Sequence, residues 1–280
     1  MSSILTNASS MVALQTLKAI NKGMAKVQDE ISTGLKVATA KDNGAVWAIA
    51  QTMKSDVRSL TKVEEALSLG SATVGTARTA AESISEMLSL AKEYVLGGGD
   101  LSNTDTRTKL LADLASIGDQ IDDIVASASF NGINLVDGAL ATADVVGSIT
   151  RDTAGAIGTE TITVTGEDLS GVGAVLTGLA DGDLVDAAAI AATLTTIEAE
   201  LTTVNDAAAG FGTSQKQIEI QSDFVGNFKA AVKNGIGALV DADMEEASAR
   251  LAALQTQQQL GIQALTIANQ APQNILALFR

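Results

Sequence analysis

Apolar residues recur at spacings of three and four at both ends of the chain, and this spacing predicts amphipathic helices. The stripe near the start contains Leu17, Ile20, Met24, Val27 and Ile31, followed by Leu35. The stripe near the end contains Met244, Ala247, Leu251, Leu254, Gln258, Gly261, Leu265 and Ala268, with Ile275 and Leu276 beyond Pro272. Such helices cannot bury a stripe on themselves, so each end needs a partner, first the opposite end of the chain and then other copies.

The longest seam of this spacing predicts a coiled coil in the interior of the chain. It runs through Leu60, Val63, Leu67, Gly70, Val74, Ala77, Ala81, Ile84, Leu88, Ala91 and Val95, and the glycines at 97–99 end it. Asn103 or Thr104 can cap the next helix, whose stripe is Leu110, Leu114, Ile117, Ile121, Ile124 and Ala128.

Helical spacing returns late in the chain. It contains Ile190, Leu194, Ile197, Leu201 and Val204, and beyond a soft spot at residues 210–212 it continues through Ile218, Val225, Phe228, Val232 and Leu239. Asp243, with Glu246 three residues on, can cap the final helix.

Turn signals separate the two helical halves. Asn131-Gly132 and Asp137-Gly138 lie among apolar residues and predict a short β-hairpin near 130–138. Residues 139–189 are rich in Gly, Ala, Thr and Asp and contain short alternating stretches, which predict a small β or irregular insert. The fold class is therefore mainly α, with long antiparallel coiled-coil helices, a short hairpin and a small inserted β or irregular domain.

Composition narrows the function. The chain has no Cys and no His, which excludes thiol nucleophiles, disulfides and imidazole or thiolate metal sites. Its remaining carboxylates, lysines and hydroxyls form no motif, so we expect no catalytic, cofactor-binding or metal residues and no enzyme activity. A net charge of −15 argues against nucleic acid. The first twenty residues predict neither a cleaved signal nor a membrane span, and on composition alone the chain would be cytoplasmic.

Two local features have simple structural interpretations. The acids at 241–246 suit a helix N-terminus better than a cation site. The glycines at 97–99 are a helix stop and not a phosphate loop, because no strand precedes them and no Lys-Ser or Lys-Thr follows. Two interpretations remain open for the polar residues Gln255, Gln257, Gln258, Gln259, Asn269 and Asn274, which would face either a central channel of a polymer or plain solvent.

Several sequence blocks resemble bacterial flagellins. They are residues 4–7 (ILTN), 31–37 (ISTGLKV), 40–42 (AKD), 48–50 (AIA), 130–132 (FNG), 135–138 (LVDG), 241–244 (DADM) and 268–276 (ANQAPQNIL). The blocks occur in the family's order at both ends of the chain. The chain departs from the family pattern at Asn43 and at Val46-Trp47, but these departures do not disturb the heptads.

The resemblance implies a structural subunit that polymerises into the flagellar filament for swimming motility. It implies a terminal assembly domain (1–40 with 241–280), a rod-like core domain (41–138 with 190–240) and a variable surface domain (139–189). It also implies secretion through the flagellar type III export apparatus to the extracellular filament, despite the composition, with an export chaperone, cap and hook-filament junction proteins as partners. No cofactor, nucleic acid or membrane insertion is expected.

The resemblance also implies weak or absent recognition by the vertebrate innate flagellin receptor. Recognised members carry an Arg-rich segment where this chain has Leu88-Ser89-Leu90-Ala91-Lys92. Three other functions remain to be weighed. A hook-filament junction protein shares the helical ends, an intracellular coiled-coil scaffold would explain the heptads alone, and a metallopeptidase inserted in the variable region would need the histidines that this chain lacks.

Overall fold

The computed structural model describes residues 7–98, 103–152 and 156–278, with side chains up to residue 270. The helices are α1 (Ala8–Thr33), α2 (Gly44–Gly97), α3 (Thr104–Ser127), α4 (Val172–Thr177), α5 (Ala187–Val240) and α6 (Met244–Leu278), with a 3₁₀ turn at Asp181–Leu184. The strands are β1 (Ser129–Phe130), β2 (Ile133–Asn134), β3 (Thr142–Arg151) and β4 (Ile157–Thr165). The predicted fold class, mainly helical with small antiparallel β pairs, is confirmed.

The chain divides into two compact units. The first contains the chain up to residue 57 and from residue 230 onward, and the second contains residues 58–229. In the first unit α1 packs along α6, and a small apolar cluster joins Val37, Ala50, Ile236 and Val240.

The core of the second unit is the long seam of α2 together with α3 and α5. All eleven α2 seam residues from Leu60 to Val95 are buried, because the heptad spacing keeps them on one side of the helix. Leu114, Ile117 and Ile121 of α3 are buried with them, whereas Ile124 is half-buried and its neighbour Val125 lies in the core instead.

Helix α5 continues through the glycine-containing stretch at 210–212, where the sequence suggested a soft spot. Phe211 is fully buried in the core of the second unit, and this packing outweighs the low helix propensity of its two neighbours. Phe228 and Leu239 are exposed although their spacing placed them in the seam, and Ile236 and Val240 are buried further along.

The insert consists of the β3–β4 hairpin followed by α4 and the 3₁₀ turn. β3 and β4 are antiparallel with an irregularity between Val146 and Ser148. The hairpin lies on the long helices, since a Cβ at Gly70 of α2 would be 2.6 Å from Val145, and Gln221 of α5 donates a hydrogen bond to the Gly147 carbonyl at 2.9 Å. At the other end of the hairpin, the Ala156 N–H donates to Asp152 Oδ1 at 2.7 Å.

Helix α4 approaches α3 closely. A Cβ at Gly118 would be 2.7 Å from the Gly173 carbonyl oxygen, and a Cβ at Gly173 would be 2.5 Å from the Gly118 carbonyl oxygen. The two glycines therefore let the backbones of α3 and α4 touch, which joins the insert to the helical core.

Candidate assembly surface

The α1–α6 seam contains the residues that the sequence assigned to assembly. Val27 and Ala247 are buried, and the other stripe residues of both helices are half-buried: Leu17, Ile20, Met24, Ile31, Leu251, Leu254, Leu265. Met244, at the first position of α6, is exposed. Ile275 and Leu276 lie in α6, but their side chains are outside the described residues, as are residues 4–6, Gly99 and Phe279.

Glycines let the two terminal helices come together. A Cβ at Gly261 would be 3.1 Å from Leu17 Cδ1 and 3.8 Å from Ile20 Cδ1. A Cβ at Gly23 would be 3.7 Å from both methyl groups of Leu254. Gly261 is therefore the tighter of the two sites, and Leu17 fills the space that a side chain there would take.

Polar contacts fix the relative position of α1 and α6. Gln258 Nε2 donates a hydrogen bond to Asn21 Oδ1 at 2.7 Å. Near the far end, Asn7 Nδ2 donates to the Ala268 carbonyl at 2.8 Å, and Ser10 Oγ donates to Asn269 Oδ1 at 2.7 Å. The spacing of apolar residues did not predict these pairs. The polar residue Gln258 at a stripe position could have indicated that the opposite helix supplies a polar partner there.

Backbone hydrogen bonds join the segment that follows α1 to the end of α5 and to the link before α6. Gly34 ends α1 in the left-handed conformation (φ 70°) and its N–H donates to the Glu30 carbonyl at 2.9 Å. Lys36 N–H donates to the Val240 carbonyl at 2.7 Å, and Ala242 N–H donates to the Gly34 carbonyl at 2.9 Å. Half-buried Leu35 lies in the link between α1 and α2 and is bridged to Asp241 in the link between α5 and α6.

Pairing leaves much apolar surface on the terminal helices exposed. Met11 is 65% exposed, Val12 63% and Ile267 68%, and the remaining members are Leu14, Leu260 and Ile262. Exposed apolar residues are normal singly, but repeated along paired helices they mark a contact surface.

A second apolar surface lies on the outer face of α5 in the second unit. Ile220, Phe224 and Phe228 follow one another at intervals of four residues, and all three are exposed. The Phe224 and Phe228 rings are parallel, with centroids 6.1 Å apart. We call this the aromatic stripe of α5. It holds two of the five phenylalanines of a chain that is poor in aromatic residues.

The residues predicted for the hairpin lie in two separate turns. Asn131 (φ 52°) and Gly132 (φ 80°) form the tip between β1 and β2, as an Asn-Gly pair favours. Asp137 accepts the Ala139 N–H at 2.9 Å and is bridged to Asp168, so Asp137-Gly138 begins the insert instead of extending the hairpin.

A bidentate ion pair joins α3 to the insert. Buried Arg107 donates from Nε to Asp181 Oδ1 at 2.7 Å and from Nη2 to Oδ2 at 2.9 Å. This pairing lowers the pKa of Asp181 and raises that of Arg107. Backbone and side-chain hydrogen bonds from Thr39 lower the pKa of Asp42, and hydrogen bonds from Ser170 lower that of Asp168.

The described part of the chain offers little for small-molecule chemistry. Across residues 7–98, 103–152 and 156–270, no group of three or more acidic side chains is arranged to hold a metal ion. Over the described residues no helix has the length and apolar character needed to cross a membrane. The arrangement presents extended apolar helix faces and is suited to packing against protein.

Family models and similar proteins point to the same protein family. Residues 4–141 match the bacterial flagellin N-terminal helical region, and residues 194–279 match the bacterial flagellin C-terminal helical region. The chain is 38% identical over 282 residues to flagellin FljK of Caulobacter vibrioides (100% of this chain, 99% of the relative) and 39% identical over 289 residues to a flagellin of Brucella melitensis (100% of each).

The fold has a counterpart among solved structures. A putative flagellar hook-associated protein from Vibrio parahaemolyticus superposes with a TM-score of 0.55 at 16% identity, covering 71% of this chain and 100% of that one. At this identity the likeness concerns the fold alone.

Proposed function

The chain belongs to the bacterial flagellin family, and from this premise we propose that it polymerises through α1 and α6, which pair within one copy and present their remaining apolar faces to neighbouring copies. Flagellins are structural proteins, so the chain is a subunit of the extracellular flagellar filament and not an enzyme. The relatives are flagellins, and none of these findings favours the junction-protein alternative.

The observation that carries the proposal is the apolar surface left over after α1 and α6 have paired. Met11 and Val12 on α1 and Ile267 on α6 remain largely exposed even though the seam is closed. Burial of such surface contributes about 25 cal/mol per Å². A copy that contacts neighbours through these residues gains this free energy, and a free copy does not.

The same surface explains why assembly would order the ends of the chain. In a free subunit most of the apolar seam between the two helices is only half-buried and gains limited stability, so we propose that their full ordering is coupled to assembly. The contacts would be heterologous, because a surface that meets a different surface of the next copy gives an open polymer.

We further propose the three-part division that the resemblance implied. Residues 1–40 with 241–280 would form the terminal assembly domain, residues 41–138 with 190–240 the core, and residues 139–189 the surface domain. Supporting this, the β3–β4 hairpin, α4 and the 3₁₀ turn all fall within 139–189.

Partners beyond the copies themselves are also proposals. Family membership suggests secretion through the flagellar type III export apparatus, an export chaperone, a cap and hook-filament junction proteins. The absence of cysteine supports threading through an export channel, since no disulfide has to be reduced first.

Weak recognition by the vertebrate innate flagellin receptor is proposed from the segment 87–95. Its only basic residue is Lys92, whose Nζ lies 2.5 Å from Glu198 Oε2, and Leu88, Ala91 and Val95 are buried. Little remains there to act as a charged anchor. Purified protein should therefore evoke little signal from receptor-bearing reporter cells, and a robust response would contradict the proposal.

The test of assembly is electron microscopy of purified protein incubated with short filament seeds and a salting-out anion. The full chain should form filaments, and a version lacking residues 1–40 should not. A chain carrying Met11→Ser, Val12→Ser and Leu14→Ser keeps the seam and should also fail. The matched control, Gln15→Ala with Gln28→Ala on exposed polar positions of α1, should assemble normally. Normal filaments from the triple variant would refute the proposed surface.

A further inference from the structure

Asparagine followed by glycine occurs three times in the chain, in three different conformations. The pairs are Asn43-Gly44 before α2, Asn131-Gly132 at the hairpin tip and Asn234-Gly235 inside α5. A following glycine leaves the backbone nitrogen open to approach, so all three share the same local chemistry. Their surroundings in the fold decide how each can react.

The pair in α5 is held by its helix. Each backbone N–H in a helix interior is a hydrogen-bond donor to the carbonyl four residues earlier, so the Gly235 nitrogen is engaged. Gly235 also lies against Met53, since a Cβ there would be 3.3 Å from Met53 Cε. Reaction at Asn234 requires this stretch of helix to open first.

The pair before α2 is held by its side chain. Asn43 Oδ1 accepts a hydrogen bond from the Val46 N–H at 3.2 Å, and its carbonyl accepts one from the Trp47 N–H at 2.9 Å. The carboxamide therefore caps the helix and is turned toward Val46.

The pair at the hairpin tip lies outside any helix, and its side chain does not cap one. Asn131 and Gly132 are both exposed, and nothing lies within 4 Å of a Cβ built on Gly132. No hydrogen bond of the Asn131 side chain occurs among the described residues. At the base of the same hairpin, Asn134 Nδ2 donates a hydrogen bond to the Val125 carbonyl at 2.7 Å, and Asn134 Oδ1 accepts one from the Val136 N–H at 3.0 Å.

We propose that Asn131 is a site of spontaneous covalent modification by deamidation in the folded protein. The Gly132 backbone nitrogen loses its proton and forms a bond to Asn131 Cγ, and the bond from Cγ to the side-chain nitrogen breaks with release of ammonia. The product is a five-membered succinimide. Water then opens the ring at Cγ to give aspartate, or at the backbone carbonyl to give isoaspartate, with no oxidant or reductant required.

The product changes the hairpin in two ways. Both outcomes add a negative charge at the tip. Isoaspartate also inserts a methylene into the main chain, and a two-residue turn with Phe130 paired to Ile133 has no room for it without loss of register. Phe130 lines a shallow surface groove with Leu69 and Ala72, so a loss of hairpin register would alter this groove on the surface of the second unit.

The experiment is peptide mapping by mass spectrometry of full-length protein aged at mildly alkaline pH, native and in denaturant. In denaturant the three pairs should react at rates within about threefold of one another, because structure no longer separates them. In the native protein Asn131 should react at least about tenfold faster than Asn234 and faster than Asn43. The proposal fails if Asn131 reacts no faster than Asn43 or Asn234 in the native protein.

Two variants make the assignment specific. Asn131→Gly keeps a residue that accepts positive φ and removes the carboxamide, so ammonia release from the native protein should fall to the level of the two slower sites. Asn43→Gly serves as the matched control and should leave ammonia release almost unchanged. Equal loss from both variants would overturn the assignment to Asn131.

Discussion

Gln258 of α6 donates a hydrogen bond to Asn21 of α1, with 2.7 Å between Nε2 and Oδ1. This contact places Gln258 in the seam between the terminal helices, where its stripe position indicated. A polar pair within an apolar seam favours a single register, because sliding either helix breaks this hydrogen bond.

Removing this pair should weaken the polymer modestly. Asn21→Ala and Gln258→Ala should each raise the critical concentration for assembly, and a hydrogen bond of this kind contributes about 1 kcal/mol. The double variant should cost less than the sum of the two single variants, because each single change already removes the contact. Critical concentrations from sedimentation of filaments measure this coupling. Gln255→Ala, on an exposed position of α6, is the control and should change little.

Gly261 should be intolerant of a larger side chain while Leu17 is present. Gly261→Val places methyl groups where Leu17 Cδ1 now lies, and overpacking of this kind costs about 1–3 kcal/mol. We expect a higher critical concentration and a lower disassembly temperature of the filaments. Leu17→Ala in the same chain should restore part of the loss by vacating the space. An absence of any rescue would show that Leu17 is not the obstacle.

The aromatic stripe of α5 should contribute to assembly more than to folding. Phe224→Ser and Phe228→Ser remove exposed rings, so thermal unfolding of the monomer should change by no more than about 0.5 kcal/mol. If neighbouring copies cover the stripe, the critical concentration should rise by about tenfold, or about 1.4 kcal/mol. Phe211→Ser, by contrast, should unfold the monomer because that ring is fully buried. Unchanged assembly by the exposed-ring variants would remove the stripe from the contact surface.

The ion pair of Arg107 and Asp181 should make the stability of the folded chain depend on pH in the acidic range. Because Arg107 lowers the pKa of Asp181 in the folded chain, the contribution of the pair is complete above the unfolded value of about 3.9 and is lost as the pH falls through the lower folded value. The melting temperature of the parent chain should exceed that of Asp181→Asn at neutral pH, and the difference should shrink at strongly acidic pH. Asp113→Asn, on the exposed face of α3, is the control. A difference that stays constant with pH would contradict the assignment.

The helical part of the fold could be predicted because a heptad repeat indicates burial directly. Every α2 seam residue from Leu60 to Val95 is buried, and the α1 and α6 stripes face each other. The prediction failed where the repeat was extrapolated along 54 residues of α5. A straight helix drifts relative to a heptad, so Phe228 and Leu239 turn outward while Ile236 and Val240 turn inward.

The spacing of apolar residues could not predict contacts between residues that are distant in sequence. Arg107 and Asp181 are 74 residues apart, and Asn21 and Gln258 are 237 apart. Nothing local in either segment selects its partner, since register and chain path decide which polar side chains meet. The insert was predicted only as small and partly β, because α4 depends on the close approach of Gly118 and Gly173 and not on a periodic stripe of its own.

The β3–β4 hairpin is anchored by Val145 over Gly70 and by Gln221 at Gly147, while β3 ends at exposed Arg151 and β4 begins at exposed Ile157. A foreign peptide inserted between Arg151 and Ile157 would replace none of these anchoring residues and none of the residues proposed for assembly. Each subunit would then carry one copy of the peptide, at the spacing of the polymer lattice. The feature that attaches the insert to its helices thereby makes this chain a scaffold for multivalent display of epitopes or enzymes.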